Sequence, residues 1–256
     1  MRRSLFIALP LAAAVGLLAV AGIASGEKVQ AGNIIVDVEG GFHPTTLPKH
    51  RFAPITLQGS GDISTVDGSL PPPVHEVEID WDRNGRLTTR GLPQCSASKL
   101  ENTTTPAAMR ACRPALVGVG FASGQVAFPE QAPFPASSKV LAFNGTPRGG
   151  HPVLLLHAYA YVPAPTTFVV PVDITRIHDG RYGYHSSLIA PVIAGGYGVI
   201  THFDLRLGRK FSVKGHRLTY LAARCPDGRL QARGTATFAD GTALSASVFR
   251  TCHGRG

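Results

Sequence analysis

Glycine and proline interrupt this chain so often that its body leaves no room for a long helix. The sequence holds 29 Gly and 20 Pro in 256 residues, and both weaken a helix interior, Pro by roughly 3 kcal/mol. Between them lie short runs of β-branched and aromatic residues bounded by Gly, Pro and Asp turns, a pattern of sandwiches and barrels. The expected fold is all-β, an antiparallel β-sandwich of jelly-roll type. One short helical insertion is expected between Cys95 and Cys112, with Thr105 as cap and Pro106 at the first helical position.

The amino terminus departs from this pattern. MRRSLFIALPLAAAVGLLAVAGIASG places Arg2 and Arg3 before an apolar stretch from Leu5 to Ile23 and closes with small residues. A positive region, a hydrophobic region and a small-residue cleavage site make up a secretory signal peptide. Residues 1–26 are read as that signal peptide, and residues 27–256 as a single domain able to bury a substantial core. Retention as an anchor is the rival reading, because the stretch approaches the roughly 20 residues that span a bilayer. Pro10 and the missing Lys/Arg flank favour cleavage, which leaves no stable membrane span. The expected location is secreted or extracellular, associated with the cell envelope.

Export gives the cysteines their meaning. Cys95, Cys112, Cys225 and Cys252 form an even set in an oxidising compartment, which implies two disulfides. Three pairings are possible, and proximity favours Cys95–Cys112 with Cys225–Cys252. The second pair carries a tension. If 217–225, 229–238 and 243–252 form a meander, the two residues end its first and third strands, about 9.6 Å apart. A disulfide tolerates at most about 6.8 Å between Cα atoms, so one strand must leave the sheet or both residues must lie past it. Zinc is the alternative use of cysteine, but no Cys-x-x-Cys or clustered Cys/His spacing supports it, and no metal or cofactor is expected.

The clearest alternation is VHEVEIDWDRNGRLTT, from Val74. Val77, Ile79 and Trp81 point one way, while Glu76, Glu78, Asp80 and Asp82 point the other. Asn84-Gly85 then signals a type I′ hairpin. Further turns are expected at Gly59–Gly61 and Ser123-Gly124, and strands at KVLAFNG, HPVLLLHAYAYV and TTFVVPVDITRI. Asp80-x-Asp82-x-Asn84-Gly85 also opens like a calcium loop, yet Gly91 stands where the bidentate carboxylate is needed. The acidic row at 76, 78, 80 and 82 is the one candidate for glycosidase chemistry, since alternate strand residues bring carboxyls to catalytic separations. His185 beside Ser186 and Ser187 lacks the Gly-x-Ser-x-Gly context of a nucleophile elbow. Asn102 and Asn144 head glycosylation sequons.

The run GLPQC at Gly91–Cys95, then Ala111-Cys112 and ALVGVG from Ala115, resembles a group of uncharacterised exported proteins of high-GC bacteria. Cys225-Pro226-Asp227-Gly228 and the closing Cys252 extend the likeness. The resemblance implies paired cysteines and a β-rich exported domain, and it brings no activity or catalytic residue.

Charge is uneven. Residues 27–175 carry 11 basic and 12 acidic side chains, whereas residues 176–256 carry 12 basic and 4 acidic. Such a basic portion suits an anionic cell-wall or surface polymer. Nucleic acid is not expected as a partner, because no stacking-aromatic and basic motif of a known reader is present. The expected function is that of a non-catalytic binding or structural protein of the cell envelope or extracellular space. The alternative is an extracellular polysaccharide hydrolase using the 76–82 carboxylates.

Overall fold

The computed structural model describes residues 27–256; the signal peptide expected at 1–26 lies outside the described residues. Twelve strands carry the architecture: β1 (Glu27–Ala31), β2 (Ile34–His43), β3 (Thr56–Thr65), β4 (Val74–Asp82), β5 (Leu116–Val126) and β6 (Phe134–Asn144), then β7 (Val153–Ala160), β8 (Thr166–Asp179), β9 (Tyr182–Ile189), β10 (Gly198–Leu207), β11 (Arg229–Phe238) and β12 (Ala243–Thr251). They join in one antiparallel sheet of order β1-β2-β3-β10-β5-β6-β7-β8-β9-β4-β11-β12. All-β is therefore the class. The two-sheet jelly-roll sandwich is not what this ladder describes, because one unbroken sheet curls until its edges meet and is nearly barrel-shaped.

Two observations mark the meeting of the edges. The Ser247 amide of β12 donates to the Glu27 carboxylate of β1 at 2.6 Å. Below it, Ile34 and Val36 share a buried cluster with Phe238 and Leu244. A sheet this wide leaves fewer unpaired backbone groups exposed when its edges cover each other.

Curling so tightly requires one strand to pass very close to its neighbour. In β5, Gly118, Gly120 and Gly124 alternate along one face, and β10 runs against them. A Cβ on Gly118 would stand 2.5 Å from the Arg206 carbonyl oxygen, and one on Gly120 would overlap the carbonyl of Asp204. Two expected turns are strand interior instead. Ser123-Gly124 is no hairpin turn, because β5 continues through it, in unbroken register with β6 and paired with β10 across a bulge at Thr201. Gly59–Gly61 likewise lies inside β3, paired on both sides.

The enclosed core is formed by Val117, Val140, Ala142, Leu154, Leu156 and Val172, with Tyr220 entering from a segment that has left the sheet. On the opposite face of β6 and β7, Leu141, Phe143, Val153 and Leu155 pack beneath the 95–115 insertion. Those two strands are thus buried on both sides, as their unbroken apolar runs imply. The insertion contains α1 (Thr105–Cys112), whose cap is Thr104: its Oγ1 accepts the Ala107 amide at 3.4 Å. The cap is one residue earlier than the sequence suggests, with Pro106 in the first turn.

Both disulfides pair as proximity favours. Cys95–Cys112 closes the insertion with its Cα atoms 5.6 Å apart. Cys225–Cys252 spans 6.0 Å, and the chain before Cys225 shows how the tension is resolved. Residues 216–219 pair with 210–213, and residues 221–223 pair with 53–54 and 85–87. The first strand of the supposed meander belongs to smaller sheets, so Cys225 approaches Cys252 from outside the large ladder.

Candidate functional site

The Asn84-Gly85 hairpin does not form, and its failure makes the site. Strand β4 lies between β9 and β11, so no position beside it is open to a returning strand. At its end, Asp82 Oδ1 accepts the Asn84 amide at 2.8 Å. The Arg83 amide donates to the Arg181 carbonyl at 2.9 Å. The Asn84 side chain is buried and accepts Arg224 Nε at 3.0 Å. Together these bonds turn the chain out of the sheet, and residues 83–90 cross the end where β8 finishes and β9 begins.

Two bulges open that end further. In the β8–β9 ladder, register is lost between Arg176 and Asp179, so Ile177 and His178 stand unpaired. In the β9–β4 ladder it is lost at Gly183. A Cβ on Gly183 would sit 2.8 Å from the Arg83 Cα, so glycine there lets the crossing segment lie close. Bulges of this kind re-aim side chains beside functional sites.

The result is a pair of adjoining cavities. The first, about 480 Å³, is walled by Arg83, Arg86, Arg176, His178, Phe52 and Tyr184. The second, about 400 Å³, is walled by Arg90, His151, Leu87 and Ile174 and shares Arg176 and Tyr184 with the first. No acidic side chain among the described residues lines either cavity. Among the described residues, Arg83, Arg86, Arg90 and Arg176 make no ion pair with a carboxylate. Rings hold several guanidiniums in place instead. Arg86 lies 4.5 Å and Arg224 5.2 Å from the Phe52 ring centre, and Arg176 lies 5.2 Å from that of Tyr184.

A clamp beneath the groove fixes its rim. Arg181 Nε donates to Asp82 Oδ2 at 2.7 Å, and the same oxygen accepts the Gln231 amide at 3.1 Å. Arg181 also pairs with Asp227 and donates to the Arg229 carbonyl at 2.5 Å. The hydrogen bond from Arg181 holds the Asp227 carboxyl below the usual carboxylate range. Burial works against the Arg181 charge, yet its bonds to Asp227 and Asp82 prevail and raise its pKa.

The acidic row lies elsewhere. Trp81 faces inward, its indole N–H donating to Ser186 Oγ at 2.9 Å, so Glu78 and Asp80 face outward. There Asp80 accepts His185 Nδ1 at 2.9 Å and Arg233 Nη2 at 2.6 Å. Partial burial pushes the Asp80 carboxyl upward, but those donors outweigh it and the net shift is down. A general acid requires the opposite shift. Glu78 approaches His185 Nε2 at 3.5 Å, and Glu76, at the start of the same face, pairs in register with Ile189 and Thr237. None of the four acids lines either of the two groove cavities.

The remaining motifs disperse. Asp80, Asp82 and Asn84 engage Arg233, Arg181 and Arg224 respectively, so they do not converge as a calcium loop would. Among the described residues no three His, Cys, Asp or Glu side chains are grouped to hold a metal ion. Ser186 is buried and donates to the Ile79 carbonyl at 3.3 Å, on the face opposite His185. Asn144 is buried with its amide donating to the Pro93 carbonyl at 3.0 Å, which removes that sequon from the surface. The charge excess after residue 176 did not point to the groove, because only Arg176 of the groove's four arginines lies there, and Arg83, Arg86 and Arg90 come from a distant segment joined to it by the fold.

Comparison with family models, with curated proteins and with solved structures gives no match.

Proposed function

We propose that this is an exported, disulfide-stabilised binding protein of the cell envelope or extracellular space, without catalysis, whose arginine-lined groove takes an anionic surface polymer. The observation that carries the reading is the wall itself: Arg83, Arg86, Arg90 and Arg176 line two joined cavities with no carboxylate among them. Unneutralised guanidiniums at a concave surface raise the local concentration of anions and match carboxylate or phosphate oxygens as planar forks. Export is supported by the leader MRRSLFIALPLAAAVGLLAVAGIASG, and the two disulfides are consistent with an extracellular location. The ion-paired state of Asp80 and Asp82 supports a binding role over hydrolysis.

The test is retention of the purified protein on immobilised anionic cell-wall polymer at rising salt. Retention at low salt, a steep loss with added salt, and loss in an Arg86→Ala/Arg90→Ala/Arg176→Ala variant are expected. Retention that ignores salt, or that the triple variant keeps, overturns the reading.

A further inference from the structure

We infer that the groove is a two-subsite site for a chain of phosphoryl groups, one subsite in each cavity, with Arg176 shared between them. The inference rests on the anion-binding reading above and names its ligand class.

The division into subsites comes from the lining. Arg83, Arg86 and His178 belong to the first cavity alone, and Arg90 and His151 to the second alone. Arg176 and Tyr184 pair directly across the β8–β9 ladder and line both. Each cavity has its own cations, and each is far roomier than a single phosphate group requires. A ligand that uses both sides must present anionic groups in succession and pass Arg176 on the way.

The phosphate assignment comes from what the walls do not offer. A glycan chain, uronates included, takes much of its grip from sugar faces laid on open aromatic rings. Here the rings are already occupied. Arg176 covers Tyr184, Arg86 and Arg224 flank Phe52, and Arg233 stands 4.8 Å over the ring of Tyr182. What is left for a ligand is the outward edge of guanidiniums already held in position, and a guanidinium fork suits the paired oxygens of a phosphoryl group. No lysine lines either cavity, so the wall consists of such forks rather than mobile point charges. The carboxylates on the elements that wall the groove are paired: Asp82 and Asp227 with Arg181, Asp173 with Arg148 at 3.4 Å, and Asp179 with Arg233 at 3.4 Å.

Titration calorimetry on the full chain tests this with short-chain inorganic polyphosphate, orthophosphate, oligogalacturonate and a single-stranded oligonucleotide. Polyphosphate should bind with one site per protein and at least about tenfold more tightly than orthophosphate or the uronate chain. Arg90→Gln should lower polyphosphate affinity about tenfold and leave orthophosphate binding in the first cavity intact, whereas Arg176→Gln should weaken both. Arg217→Gln, outside both cavities, should change neither, and thermal melts confirm that each variant folds. Oligogalacturonate binding as tightly as polyphosphate overturns the phosphate assignment and leaves the anion-binding function standing. An oligonucleotide binding more tightly than polyphosphate overturns it in favour of a nucleic-acid site. Absence of binding by every anion overturns both.

Discussion

Arg181 Nε and Asp82 Oδ2 lie 2.7 Å apart at the point where β4 leaves the sheet, with the Asp82 side chain 5% exposed. The pair joins the β8–β9 turn to the crossing segment that walls the groove. Asp82 has no spare oxygen, because the Asn84 and Gln231 amides take what Arg181 leaves. Removing Asp82 leaves those two amides without their acceptor and Arg181 with Asp227 alone, at a cost of about 3 kcal/mol. Asp82→Ala should therefore lower the denaturant midpoint sharply. Asp82→Ala with Arg181→Met should cost less than the sum of the single changes. Additive losses in the double-mutant cycle would mean that the two side chains do not act as a unit.

Gly120 belongs to the curvature of the sheet rather than to a turn. A methyl group there overlaps the carbonyl of Asp204 on β10, and a backbone oxygen in a paired ladder cannot step aside as a side chain can. Overpacking of this kind costs about 1–3 kcal/mol. Gly120→Ala should fall in that range by urea unfolding. Gly234→Ala, where the nearest backbone atom is at 3.9 Å, should cost much less. Equal losses at both positions would show that the close approach to β10 is not what selects glycine.

The two crosslinks close segments of 17 and 27 residues, lengths for which chain entropy gives about 3 kcal/mol each. Non-reducing digestion and mass spectrometry should recover Cys95 joined to Cys112 and Cys225 joined to Cys252. Cys95→Ser/Cys112→Ser should loosen the insertion over Leu141, Phe143 and Leu155 and increase hydrogen exchange in α1 first. Four free thiols in protein isolated from outside the cell would refute the pairing.

The strands and crosslinks were legible because each depends on short-range signals. HPVLLLHAYAYV and TTFVVPVDITRI read as strands from their own residues, and both are. The sheet as a whole was not legible. Its curl depends on which neighbour β5 meets, and Gly118, Gly120 and Gly124 look alike whether they turn the chain or admit β10. Asn84-Gly85 misled for a related reason: hairpin propensity is local, whereas β11 and β9 already occupy both sides of β4. The candidate site suffered most. Arg86 and Arg176 stand 90 residues apart in the sequence, and no periodicity links them. The acidic row was conspicuous as a pattern, yet the chemistry of Asp80 and Asp82 is settled by Arg233, His185 and Arg181, contributed by β11, β9 and the turn between β8 and β9.

Stability below neutral pH should report on His157. Its ring is buried on β7 beneath the insertion, with Nε2 at 3.0 Å from the Thr103 carbonyl and Nδ1 without a partner. Burial disfavours the imidazolium and lowers its pKa from the ordinary value near 6.5. A group whose folded-state pKa is depressed contributes stability that is complete above its unfolded value and is lost as pH falls. Unfolding free energy should therefore decline between pH 7.5 and pH 5. His157→Leu should abolish that decline, and Thr103 keeps a donor because Thr167 Oγ1 reaches its carbonyl at 3.0 Å. His202 works in the opposite sense: hydrogen bonding to Asp62 raises its pKa, so its contribution is complete below about 6.5 and fades as pH rises. With His157 replaced, the remaining slope should change sign, and the protein should gain slightly toward pH 5. A variant that keeps the wild-type decline would assign the acid sensitivity to another group.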